Sequence, residues 1–153
     1  MNQLASDVGS CTLRIRVRYA ECDAQQVVFN ARYGDYADLA ATEYMRALIG
    51  DFKNLLALGY DNQVVSLHID WKRSATFDDV LDLITSIEHV GNTSFRLLIN
   101  MHSVTQHNQL IAQAKVTYVV VDATSFKKVK IPALLLDNFK RKFDVFINQS
   151  GVE

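Results

Sequence analysis

Between Val17 and Asn30 the chain runs VRYAECDAQQVVFN, and residue types able to do chemistry are densest here. Two carboxylates, Glu21 and Asp23, flank Cys22, two glutamines follow, and an apolar Val27-Val28-Phe29 run stops at Asn30. A carboxylate at a strand end can serve as nucleophile or general base, although an Asp in a polar turn is by default a solvated loop residue. Cys22 is a second nucleophile by type, but no positioned His follows it and a neighbouring carboxylate disfavours the thiolate. Ser66, His68 and Asp70 carry the letters of a triad yet fall two apart on one strand face, whereas a working triad joins separate elements. A polar outer or interface face accounts for them. His68, His89, His102 and His107 show no metal-ligand spacing on one face, so no metal is expected.

These residues must be held by the elements on either side. Before them, Leu13, Ile15, Val17 and Tyr19 alternate with Arg14, Arg16 and Arg18, which predicts a strand. After them, Tyr33, Ala37, Ala40, Ala41, Tyr44 and Leu48 recur at three- and four-residue steps. That spacing predicts an amphipathic helix over 31–48, with Asn30 as N-cap and Gly50-Asp51 as its stop. A short second helix is expected over 52–58. Four strand-like runs follow, about 64–73, 80–90, 95–104 and 110–121, joined by short links that favour antiparallel neighbours. Pro132 suits the first turn of a closing helix over 133–148, because Leu135, Leu136, Phe139, Phe143 and Phe146 keep helical spacing. One long helix and one large antiparallel sheet make an α+β architecture in which the sheet curls round the helix. A single helix leaves part of the sheet uncovered, so a second subunit is expected.

At 153 residues and 49% hydrophobic content, the chain suits one domain, 1–153. Sixteen basic against seventeen acidic residues argue against a nucleic-acid partner. Cys11 and Cys22 form no CxxC pair and suit reduced thiols in a cytoplasmic protein. The N-terminal MNQLASDVGSCT has neither a basic start nor an apolar stretch, and no run approaches the roughly 18 apolar residues of a membrane span, so neither export nor membrane insertion is expected.

With the elements in place, the opening stretch resembles the pattern Tyr-x-Asp/Glu-x-Asp-x-x-Gly-x-Val-x-His/Asn-x-x-Tyr of the 4-hydroxybenzoyl-CoA thioesterase family. Tyr19, Glu21, Asp23, Val28, Asn30 and Tyr33 stand at matching places. The segment WKRSATFDDVLDLIT, through Trp71, Ala75, Phe77, Asp78 and Asp79, and the later GNTSF and KKVKIP are also similar to family positions. The likeness covers residues 12–133, and the bacterial acyl-CoA thioesterases associated with the Tol-Pal system look most similar.

The resemblance implies a hotdog fold, a core over about 12–133 with a C-terminal helix, and a homodimer or homotetramer. It implies hydrolysis of an acyl-CoA thioester to a carboxylic acid and free coenzyme A, with no cofactor beyond the coenzyme A of the substrate. Asp23 takes the place of the catalytic carboxylate, which attacks the thioester or activates water. Donors for the carbonyl oxygen come from the start of the helix at Ala31. Asn30, where many relatives carry His, caps that helix or bonds the carbonyl or the water. Val28 and Tyr33 belong beside the substrate. Gln26 stands where the family has Gly and is expected to narrow or reshape the acyl pocket. The phosphates of coenzyme A need a basic grip, for which Lys72 with Arg73, or Lys127, Lys128 and Lys130, are available. The alternative is a non-catalytic acyl-CoA or fatty-acyl binding protein. A dehydratase would need an Asp and His pair on the long helix, which holds no His.

Overall fold

The computed structural model describes residues 7–153. The start of the polar N-terminus, read above for a leader, lies outside the described residues. β1 (Ser10–Arg16) buries Cys11, Leu13 and Ile15 and turns Thr12 and Arg14 outward, as the alternation demands. The strand ends before Tyr19, which opens a single 3-10 turn, Tyr19–Glu21. α1 (Arg32–Ile49) follows a loop and buries Tyr33, Tyr36, Ala37, Ala40, Ala41, Tyr44 and Leu48. Gly50 stops it at φ +85°, a conformation that costs a glycine little, and donates its N–H to the Arg46 carbonyl at 2.8 Å. α2 (Phe52–Ala57) is capped by Asp51, whose carboxylate accepts the Lys53 N–H at 2.9 Å.

Four long strands then wrap the helix: β2 (Tyr60–Trp71), β3 (Val80–Val90), β4 (Ser94–Ser103) and β5 (Gln109–Asp122). The sheet runs β2-β5-β4-β3-β1-β6, and every pairing is antiparallel except β1 with β6. Its inner face packs Leu83, Phe95, Leu97, Ile99, Met101 and Ala114 against α1, where the three alanines let helix and strands come close. Its outer face is polar, with Arg14 bonded to Asp82 at 2.7 Å and Glu88 held by Arg96 at 2.9 Å and Lys115 at 3.0 Å. This is the α+β hotdog architecture. No helix among the described residues is long and apolar enough to cross a membrane.

The closing segment departs from expectation. α3 covers only Ala133–Phe139, with Pro132 at its N-cap. The chain then returns as β6 (Asp144–Asn148), parallel to β1. Helical spacing carried through Phe143 and Phe146, but Val145 and Ile147 also alternate with Asp144, Phe146 and Asn148, and the open edge of β1 decides between the two periods. Arg141, at the break, donates to the Ala47 and Leu48 carbonyls at 2.8 and 3.0 Å and so satisfies the C-terminal end of α1.

Candidate active site

The loop from β1 to α1 is pinned from below by Glu21. Its buried carboxylate accepts the Arg18 N–H at 2.8 Å and the Tyr36 hydroxyl at 3.1 Å, and its backbone carbonyl accepts the Phe29 N–H at 2.9 Å. Glu21 is thus a structural carboxylate tied to the helix. A narrow hairpin rises from this base, with Cys22 opposite Val28 and Asp23 N–H bonded to the Val27 carbonyl at 2.9 Å. At its tip the Asp23 carboxylate accepts the Gln25 N–H at 2.8 Å, an Asx-turn, and Gln26 N–H closes on the Asp23 carbonyl at 2.9 Å. Asp23 therefore keeps a fixed orientation while remaining partly open to solvent.

Gln26 adopts φ +67°, the left-handed conformation a glycine would take. The expectation that its side chain reshapes the pocket is corrected here. The side chain is exposed and Gln26 is not among the residues that line the cavity. Gln25 lines the wall instead.

Asn30 departs from its expected place as N-cap. α1 starts at Arg32, Ala31 is the N-cap with helical φ and ψ, and no side chain caps the helix. The Arg32, Tyr33 and Gly34 N–H groups turn back onto the Phe29, Asn30 and Ala31 carbonyls at 2.9, 3.3 and 3.2 Å. The N–H groups of Asn30 and Ala31 have no partner among the described residues, and neither does the Asn30 side-chain amide. These are the donors left for a ligand, one residue earlier than the helix itself.

The hairpin is also stitched to the link between β2 and β3: Val27 lies opposite Thr76, and Val28 N–H donates to the Ala75 carbonyl at 2.8 Å. Between them lies a cavity of about 300 Å³, lined by Asp23, Gln25, Val27, Val28, Asn30, Tyr33 and Trp71 through Ser74. The fold thus brings together Asp23, Val28, Asn30, Tyr33, Lys72 and Arg73. Lys127, Lys128 and Lys130 lie outside the cavity, as do the side chains of Gln26 and Ala31. Gln25, Val27 and Ser74 escaped sequence reasoning; the Asx-turn spacing after Asp23 would have marked Gln25. Burial, and then the charges of Glu21, Asp23 and Asp79, push the Cys22 thiol up, which leaves it a poor nucleophile. His68 and Asp70 pair at 3.2 Å on the exposed face of β2, away from this cavity.

A fixed carboxylate, Asn30 with its free backbone N–H next to that of Ala31, and a pair of cations on one cavity can attack a carbonyl carbon, stabilise charge on its oxygen and hold an anionic leaving group. Residues 17–139 match the thioesterase-like superfamily. The chain belongs to the thioesterase-like superfamily. Among curated relatives, the acyl-CoA thioesterase YbgC of Haemophilus influenzae is 30% identical over 119 residues, covering 77% of this chain and 85% of that protein. The acyl-CoA thioester hydrolase YbgC of Escherichia coli is 29% identical over 127 residues, covering 83% and 93%. Among solved structures, a 1,4-dihydroxy-2-naphthoyl-CoA thioesterase from Synechocystis superposes with TM-score 0.76 at 20% identity, covering 86% of this chain and 96% of that one. The superfamily match takes in the whole cavity and stops at the end of α3, so β6 lies beyond it.

Proposed function

We propose that this superfamily member is an acyl-CoA thioesterase, hydrolysing the thioester to a carboxylic acid and free coenzyme A with Asp23 as the catalytic carboxylate. The observation that carries the reading is the shared cavity: Asp23 faces the same space as the Asn30 amide, beside the free N–H groups of Asn30 and Ala31. Attack by the carboxylate on the carbonyl carbon would expel the thiolate and form a mixed anhydride that water then opens. Abstraction of a proton from water would reach the same products directly. Both routes place negative charge on the carbonyl oxygen, where the two N–H groups and the helix dipole favour it. Lys72 and Arg73 are the grip for coenzyme A phosphates on the same wall. The reaction asks for no resident cofactor. The finer likeness, to the 4-hydroxybenzoyl-CoA thioesterase family, draws on Tyr19 through Tyr33. The binding-protein alternative drew on Gln26, and the turn there keeps the shape a glycine would give it.

A homodimer and a cytoplasmic location belong to the same proposal. β2 is an edge strand whose Val64, Val65, Leu67 and Trp71 are about half exposed, an aggregation hazard unless another strand covers it. Antiparallel pairing of two β2 strands about this exposed middle would set Trp71 of one subunit near the Asn62–Val64 end of its partner. That end borders a second groove, about 380 Å³, walled by Ala41, Met45, Phe52 and Tyr118. Cys11 and Cys22 are both free thiols, which supports a reducing compartment.

The test is thiol release from a panel of acyl-CoAs by wild type and Asp23→Asn. The substitution removes charge and basicity with little change of shape, so turnover should vanish while fold and coenzyme A binding persist. Residual activity within about tenfold of wild type, about 1.4 kcal/mol of barrier, would mean that Asp23 is not the reacting group.

A further inference from the structure

Tyr33 is nearly fully buried, yet it is one of the residues that line the cavity shared by Asp23 and Asn30. The phenol oxygen accepts the Ala75 N–H at 3.3 Å, and its own O–H has no acceptor among the described residues. Burial raises the phenol above its ordinary range, so it is a donor at neutral pH and not a base. Its ring is wedged edge-on between Tyr36 and Trp71, at centroid distances of 5.7 and 6.4 Å, which leaves the hydroxyl little freedom of position.

The Ala75 peptide that aims this hydroxyl is itself held by Asp79, which no step of the proposed chemistry uses. The Asp79 carboxylate accepts the Thr76 N–H at 2.8 Å, the Thr76 hydroxyl at 3.3 Å, the Thr105 hydroxyl at 3.0 Å and the Gln106 amide at 2.7 Å. The Gln106 amide also donates to the Ser74 carbonyl at 3.2 Å. Segment 74–76 is thus clamped to the β4–β5 turn on one side, and on the other it meets Val28 and Tyr33 through Ala75.

We propose that the Tyr33 hydroxyl is a catalytic hydrogen-bond donor to the carbonyl oxygen of the reacting thioester, and that Asp79 is a positioning residue that aims it through Ala75. The proposal rests on the thioesterase reading above. A neutral phenol donates best when negative charge develops on the acceptor, so its contribution belongs to the transition state and not to ground-state binding.

Steady-state hydrolysis of one acyl-CoA by wild type, Tyr33→Phe, Asp79→Asn and the double variant tests it, with thermal melting to show that each is folded. Tyr33→Phe keeps the ring and removes the hydroxyl, its proton and the acceptor of the Ala75 N–H together; kcat should fall about 10²-fold with KM nearly unchanged. Asp79→Asn should lower kcat about tenfold through misplacement of the same group. The double variant should be no slower than Tyr33→Phe alone, because the clamp has nothing left to aim. If Asp79→Asn does not fold, Gln106→Leu, which removes a single clamp donor, takes its place in the cycle with a smaller loss. Tyr33→Phe within about threefold of wild type overturns the donor role. Losses that multiply in a folded double variant overturn the link from Asp79. Both results leave the thioesterase reading standing, whereas a wild type inactive on every thioester removes the two together.

Discussion

Gln26 shows how a departure from a motif can leave its geometry intact. A non-glycine residue at φ +67° carries about 1–2 kcal/mol of strain. Gln26→Gly relieves that strain and adds about 0.4–1 kcal/mol of unfolded-state freedom, for a net gain between about 0 and 1.6 kcal/mol. The expected result is a melting temperature raised by a few degrees and an unchanged ranking of acyl-CoA substrates. A shift in preference towards bulkier acyl groups would show that the side chain does reach the pocket. Asn30 is a different case. Its side chain caps nothing, so its loss should tell on turnover and hardly on stability, the reverse of what a capping residue shows.

Among the elements, β6 lies beyond the C-terminal end of the superfamily match, and it is locked through Phe143. A Cβ placed on Gly9 would lie 2.0 Å from a carbon of the Phe143 ring, and Ser10 N–H donates to the Phe143 carbonyl at 2.8 Å. The ring is further held by Tyr44 and by the Arg141 guanidinium 4.7 Å from its centroid. Gly9→Ala should therefore cost about 1–3 kcal/mol by overpacking, read as a lowered urea midpoint with turnover per folded molecule retained, since the cavity lies elsewhere. An unchanged midpoint would mean that β6 shifts freely. The outer face carries a pH-dependent contribution at Glu88. Partial burial raises its carboxyl, but bonds to Lys115 and Arg96 outweigh this and hold it below the ordinary range. A depressed folded-state value stabilises above the unfolded value, about 4.3, and the benefit is lost as pH falls through the folded one. Glu88→Gln should melt below wild type at pH 7 by an amount worth about 1 kcal/mol or less, and the gap should close in acid. A gap that persists in acid would assign the effect to packing.

For the whole molecule, the unequal edges of the sheet decide how it can associate. β6 covers β1, whereas β2 leaves a long strand with apolar side chains exposed. Leu67→Lys places a charge in the middle of that edge, where natural edge strands carry lysine to prevent pairing. It should convert a dimer into a monomer by sedimentation and lower kcat/KM, because the Trp71 wall would lose its neighbour. A Leu67→Lys protein that remains dimeric would place the interface elsewhere; a monomer with full activity would show that the cavity is complete in one chain.

The long helix, the first strand, the four long strands and a polar turn after Asp23 were legible in the sequence because each is written in local spacing. Period two marks a half-buried strand, three- and four-residue steps mark a helix face, and a carboxylate followed by polar turn residues marks an Asx-turn. Tertiary structure decided the rest. Residues 140–148 satisfied both periods, and only the unpaired edge of β1 chose the strand. Asn30 had the composition of a cap, but Ala31 already adopts helical angles, so the amide was left for the cavity. Asp79 stood in the sequence only as a position similar to the family's, and two of its donors, Thr105 and Gln106, are brought to it by the β4–β5 turn. Lys72 and Arg73 were one of two basic sets, and of the two only they line the cavity that Asp23 lines. Local periodicity constrains which way a side chain points along its own element, and only the pairing of distant elements settles what it points at.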